Sequence, residues 1–178
     1  MKTGELFDPN EVLPPALHGV VTITEIDRAE FLISDLFKRK FGHPPPSIPR
    51  HLVALYRDSE QALHLIGYSH MMPFDEVYLS GGSCSDGAAI RLMQPHQRDA
   101  LAAAGGIWFC ILKYAFRKYA CCCEAFFGHC GDKRALEVAL AAGFIQTEHQ
   151  HLIVHWHKAL PENARQTLTE KVHALGSF

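Results

Sequence analysis

Short β-branched or alternating runs and helical-period stripes succeed one another from Val20 to Leu175, which restricts the chain to a mixed α/β fold. Val20 to Ile26 (VVTITEI) is short and β-branched and reads as a strand. From Asp27 the period changes. Ala29, Leu32, Ile33, Leu36 and Phe37 fall at i, i+3, i+4, i+7 and i+8, one apolar stripe of a helix. Gly42 is placed to end that helix, and HPPPSIP (43–49) forbids its continuation. His51 to Tyr56 and Gln61 to Met71 read as strands around a turn at Arg57 to Glu60, with Pro73 closing the second. Glu76 to Cys84 (EVYLSGGSC) reads as a further strand, in which Gly81 and Gly82 suggest a bulge or close approach by another group.

The second half alternates more tightly. Asp86 to Leu101 reads as irregular or weakly helical around Pro95, and Gly105-Gly106 open a strong helical segment, IWFCILKYAFRKYA. Cys122 to His129 reads as a strand. Asp132 is placed to cap a helix from Lys133 to Ala142, because its carboxylate accepts from an orphan helix amide, and Gly143 occupies the left-handed closing position. Strands near Phe144 to Thr147 and His151 to His157 follow, then a helix over Pro161 to Leu175 with Leu168, Val172 and Leu175 on one face. The order is β-α-β-β-β-α-β-α-β-β. The 178 residues suit a single domain, with a core over about 19–158, a lead over 1–18 and a terminal helix over about 161–176.

Composition enters as exclusion. A chain of this length buries roughly 70% of its unfolded surface and needs neither disulfide nor metal to fold. The net charge of −2 argues against a nucleic-acid module. The longest uncharged apolar run, Ala100 to Leu112, falls short of the ~20 residues that span a bilayer. The N-terminal stretch carries acidic and Pro residues where a secretory signal would be apolar, so a cytoplasmic protein is expected. The 6 Cys include the consecutive Cys121, Cys122 and Cys123 but no CxxC pair, and buried reduced thiols are expected. Of the 12 His, His149, His151, His155 and His157 share one strand parity in HQHLIVHWH, and Leu152, Val154 and Trp156 the other. The apolar set should pack inward and the His set face solvent, a partner or a cleft. No carboxylate or Cys at ligand spacing completes a metal set, so no metal is expected.

Read with this order, GDKRALEVALAAGF (131–144) resembles the Gcn5-related N-acetyltransferases, whose last core helix begins after a strand at Asn or Asp and ends in Gly-Phe. Asp132 and Gly143-Phe144 hold those positions, and HLIGYSHM (64–71) is similar to the family's third strand. The resemblance covers about Gly19 to Trp156. It implies a mostly antiparallel central sheet flanked by helices, acetyl-CoA as acyl donor, and direct transfer to a primary amine on a small molecule or protein. It assigns Gly82, Ser83 and Cys84 to the thioester end, where a backbone N–H can serve as oxyanion donor. It assigns the amides of Ala103, Ala104, Gly105 and Gly106 to the pyrophosphate, which helix N-termini favour. The acceptor site it implies lies among the first helix and nearby loops, including HPPPSIP and the 86–101 insertion.

Two departures stand out. Ala102 and Ile107 replace the polar and the final small residue of the family's pyrophosphate loop, and Ala139 stands where a Tyr often protonates the leaving thiolate. A thiol with a pKa near ~8.5 leaves without much help, so an acid is useful but dispensable. Asp86, just past the fourth strand, and His129, at the end of the fifth, are the candidates for proton transfer. Asp86 also reads as a turn or helix cap, and His129 as an ordinary hydrogen-bonded histidine. The departures keep open a non-catalytic acyl-CoA or small-ligand binding protein of the same fold, and the sequence is compatible with a homodimer.

Overall fold

The expected alternation is realised as one sheet with helices on both faces in the computed structural model, which describes residues 7–47 and 50–178. The strands are β1 (Val21–Ile26), β2 (His51–Arg57), β3 (Leu63–Phe74), β4 (Val77–Ser80), β5 (Cys84–Ser85), β6 (Ala125–His129), β7 (Ile145–Gln146) and β8 (Leu152–Trp156). The helices are α1 (Glu30–Phe41), α2 (Gly87–Ile90), α3 (Pro95–Ala103), α4 (Ile107–Tyr119), α5 (Lys133–Ala142) and α6 (Glu162–His173). Ile48 and Pro49 of HPPPSIP, and residues 1–6 of the N-terminal lead, lie outside the described residues.

The sheet order is β1-β2-β3-β4-β6-β8-β7, with β5 pairing β3. Every pairing is antiparallel except β4 with β6, which runs parallel from Val77↔Ala125 to Ser80↔Gly128. Parallel neighbours require a crossover, and here it carries α2, α3 and α4. The apolar stripe of α4 covers one face. Ile107, Cys110, Ile111 and Tyr114 join Leu52, Ala54, Ile66 and Phe126 in the largest core cluster. On the opposite face, Ile33, Leu36 and Phe37 of α1 meet Val53 and Tyr68. Leu168 and Val172 of α6 meet Leu79, Phe127, Leu152 and Val154 on the same side. No single helix among the described residues is long and apolar enough to cross a membrane; α3 and α4 qualify only as a pair bent by 57°.

Asp132 caps α5 as expected, its Oδ1 accepting from the Ala135 N–H at 2.7 Å, and Gly143 closes that helix at a φ of 121°. Several expectations need correction. Pro73 lies within β3 rather than ending it. The Gly81 N–H donates to the His70 carbonyl, which sets the ladder so that Pro73 turns its donorless nitrogen away from β4. Pro95 opens α3 at the first helical position, where a missing N–H costs nothing, so 95–103 is helical rather than irregular. Cys121 and Cys122 are exposed in the turn after α4, and only Cys123 of the triplet is buried.

The histidine stripe divides. Both faces of β8 are covered, so His155 and His157 point into aromatic packing rather than outward. His155 stacks on Phe116 at 3.8 Å between centroids and donates from Nδ1 to the Gly143 carbonyl at 2.8 Å. His157 meets Phe126 edge-on. His149 precedes β8, stacks on His173 and pairs with Glu170 of α6. Glu148, His149 and Glu170 thus bring three potential metal-ligand atoms within 4.8 Å of one another, a cluster that sequence spacing did not foresee.

Burial lowers His155, and it lowers His70 and His157 to about 4. Below the usual His value the unfolded chain takes up protons that the fold refuses, so stability present above about pH 6.5 drains away as pH falls toward 4. Melting temperature is expected to fall steadily between pH 7 and 4.5, and His157→Phe to flatten that fall. A melting temperature independent of pH in this window would contradict the packing described.

Candidate functional site

The sheet opens where its one parallel pairing ends. Beyond Ser80↔Gly128 no β4–β6 partners remain. β6 stays with β8 through His129↔Leu152, while the other chain turns back onto β3 as β5. The register shows how. Met71 faces Ser80, but Tyr68 faces Cys84, so one extra residue is inserted across Gly81–Ser83, a β-bulge. A cavity of about 340 Å³ occupies the resulting gap, walled by Ser80–Ser83 on one side and Gly128–Asp132 on the other, with Trp108 of α4 at its edge.

Bulged backbone leaves the ladder, and the Gly82 and Ser83 N–H groups have no hydrogen-bond partner among the described residues. The Ser83 hydroxyl is held, donating to the Gly81 carbonyl at 3.1 Å and accepting from Ser69 at 2.8 Å. The Trp108 indole N–H is buried without a partner. His129 lines the same cavity from the end of β6, and Cys130 follows it with a thiol raised by burial.

A second cavity of about 510 Å³ lies on the α1 side of the bulge. Gly81 and Gly82 wall both cavities, and so do Phe41 and Phe178. Gly81 is obligatory for a steric reason. A Cβ there would lie 1.9 Å from His70 Nε2 and 2.5 Å from its Cδ2. The close approach expected at the glycine pair is therefore by the His70 ring. That ring is itself fixed, its Nδ1 lying 3.3 Å from Tyr68 Oη, which lies 2.8 Å from His51 Nδ1.

The structure brings Gly82, Ser83 and His129 together around the cleft and leaves the other expected site residues outside its lining. Cys84 pairs with Tyr68 in β5 and is buried against α1, its thiol pushed up to about 11 by burial. Asp86 caps α2, its Oδ1 accepting from Ala88 and Ala89 N–H and its Oδ2 from Arg39 at 2.9 Å. The helix-cap reading is the one its contacts match.

Ala103 to Gly106 cannot supply the expected amides. Ala103 is helical, and Ala104 donates to Ala100, Gly105 to Ala102 and Gly106 to Leu101. The last two bonds form a Schellman closure of α3, with Gly105 at a φ of 95° in the position that disfavours side chains. The N–H groups left over belong to Ile107, Trp108 and Phe109 in the first turn of α4. Ala139 is fully buried in α5 and does not reach the cleft.

Sequence reading missed His70 and Trp108. His70 sits within a buried strand segment, where an unpaired polar ring is unusual, and that was its only signal. Trp108 reads simply as part of an apolar helix.

No protein-family model matches the sequence, and no curated protein matches it. Among solved structures, the ribosomal-protein-S18-alanine N-acetyltransferase from Escherichia coli is similar at a TM-score of 0.50, with 10% identity over 80% of this chain and 97% of that one. A spermidine N-acetyltransferase SpeG chimera involving Vibrio cholerae gives a TM-score of 0.47 and 12% identity, covering 78% and 96%. AtaTR bound with AcCoA gives 0.42 and 13%, covering 84% and 98%. The first likeness shows the fold. The chain has the mixed α/β fold of the Gcn5-related N-acetyltransferases, as the motif resemblance implied.

Gly81→Ala is expected to push the His70 ring off Tyr68 and to cost about 1–3 kcal/mol in denaturant unfolding, as overpacking does. An unchanged unfolding midpoint would mean that His70 can withdraw freely.

Proposed function

We propose that the chain is an acyl-CoA-dependent N-acyltransferase that passes an acetyl group from acetyl-CoA directly to a primary amine. The observation that carries this reading is the pair of amides without a partner among the described residues, Gly82 and Ser83, in a bulge that walls the gap between diverging strands. Such donors suit the amide carbonyls of a pantetheine arm and, at the reacting end, the oxygen that gains charge when a thioester is attacked. The residues present fit the donor in three further respects. The Trp108 indole N–H lacks an acceptor, the first-turn N–H groups of α4 have no backbone acceptor among the described residues, and the bulge wall of the cleft includes Gly81 and Gly82. Acetyl-CoA would supply an activated acyl group. The chain would orient it, exclude water and manage protons.

His129 lines the cleft and would return a proton to the departing thiolate, the task for which Ala139 has no group. Asp86 would act through structure, since its oxygens already hold α2 and Arg39. A second reading, a binding protein without turnover, is favoured by the burial of Ala139 outside the cleft. Thiol release in the presence of amines separates the two readings.

Acetyl-CoA at 100 times its Kd should stabilise the protein by about 2.7 kcal/mol, visible as a rise in melting temperature. Ala135→Trp, which fills the cleft from α5, should abolish the rise without unfolding the protein. Absence of any rise for the unmodified protein at millimolar acetyl-CoA would defeat both readings. His129→Ala should lower kcat about tenfold or more. Asp86→Ala should cost about 1 kcal/mol of stability while leaving kcat within about twofold. The opposite pattern would return the proton role to Asp86.

A further inference from the structure

The larger cavity sits against the back of the bulge and shares Gly81, Gly82, Phe41 and Phe178 with the cleft. Its wall is built by Phe37, Phe41, Pro44, Pro46, Met72 and Leu79, and His43 and His70 are the titratable side chains among its described lining residues. Phe178 completes the wall, and no side chain among the described lining residues is acidic. An ammonium group entering here would lose its hydration and meet no acidic side chain, so the cavity selects the uncharged amine and an apolar body to fill the remaining volume. A polyamine or a lysine-bearing basic peptide would have to bury unpaired cations. Those acceptors call for acidic walls.

His70 occupies the junction. Its ring touches the space where Gly81 lacks a side chain, and its Nδ1 is tied through Tyr68 Oη to His51 Nδ1. When His70 Nδ1 donates to Tyr68 and Tyr68 donates to His51, His70 Nε2 carries a lone pair. The titratable groups that line its cavity or couple to its hydrogen-bonded partners are His51 on β2, Tyr68 on β3, Cys84 on β5, Glu30 at the start of α1 and His43 just past its end. None of them places a carboxylate on the cavity wall. Burial, and next to it His51, hold His70 uncharged at neutral pH.

We infer that this cavity is the acceptor site for a primary amine carried on an apolar, ring-sized body, and that His70 receives the proton the amine sheds on acylation. The inference rests on the acyltransferase reading and names its substrate class. In the step, the amine lone pair forms a bond to the thioester carbonyl carbon and the C–S bond breaks with its electron pair on sulfur. One N–H proton passes to His70 Nε2, and the thiolate later gains a proton to become the free thiol. The products are the amide and coenzyme A. The nitrogen becomes more acidic as it bonds to carbon, which is why a ring that stays neutral beforehand can take the proton then.

The test uses acetyl-CoA with phenethylamine, spermidine and a lysine peptide as acceptors, following thiol release, together with melting temperature for binding. Phenethylamine should give a kcat/KM at least tenfold above the other two and should itself raise the melting temperature. Met72→Glu, which adds a carboxylate to the wall, should narrow that preference toward spermidine. His70→Gln should reduce kcat about 100-fold at pH 7 while the acetyl-CoA thermal shift persists. The deficit should persist above pH 9.5, because an amine that arrives neutral still sheds one N–H proton on acylation. Tyr68→Phe, which keeps the packing, should cost about tenfold. Turnover of spermidine or peptide at or above that of phenethylamine, with acetyl-CoA binding intact, overturns the acceptor assignment and leaves the acyltransferase reading standing. A His70→Gln rate within twofold of the parent at all pH values overturns the proton role. No acetyl-CoA shift in the parent protein overturns the underlying reading and this inference with it.

Discussion

The site depends on a pairing that stops. β4 and β6 hold together in parallel for four residues and then part, because the strand that leaves Ser80 is recaptured by β3 while β6 remains bound to β8. Each strand satisfies its own backbone on the far side, so the gap between them costs little hydrogen bonding. Among the described residues, the unpartnered groups beside the opening include the Gly82 and Ser83 N–H groups of the bulge. The cleft is thus a local failure of a ladder whose continuation on both flanks is secure. The crossover that parallel pairing demands also delivers α4, and with it Trp108 and a fresh set of helix-terminal amides, to the same opening.

Much of this was legible from short-range chemistry. Asp132 and Gly143 bracket α5 because a cap and a positive-φ closure are determined within a few residues. The Gly81-Gly82 pair was readable as a bulge or a close approach and is both, since the side-chain period cannot continue through it. What escaped was decided across the sheet. The parity of His155 and His157 was read correctly, but alternation alone does not say which face is dry, and here Phe116 and Phe126 cover theirs. Asp86 offered proton chemistry until Arg39, far away in sequence, took its second oxygen. The resemblance puts a pyrophosphate loop over 102–107; in the fold its glycines end one helix and begin the next.

A common thread is dryness. His51, His70, His155 and His157 are each lowered by burial, and Cys84 and Cys123 are raised by it, the latter to about 12. The polar side chains near the sheet are therefore held in their uncharged forms, and formal charge stays at the rim in pairs such as Arg39 with Asp86. Chemistry in this interior would proceed through neutral groups and short hydrogen-bonded links, with little help from fixed charges.

The abrupt turn at Gly105-Gly106 carries an electrostatic consequence. It sets the carbonyl end of α3 almost against the amide end of α4, with the two axes bent by 57°. The partial negative charge of one helix end lies beside the partial positive charge of the other, and at a distance the two fields largely cancel. An isolated helix start attracts anions from afar; this one can only hold an anion already in contact with its N–H groups. Recognition of phosphate here would be a matter of touch rather than of field, nearly indifferent to ionic strength and demanding of shape.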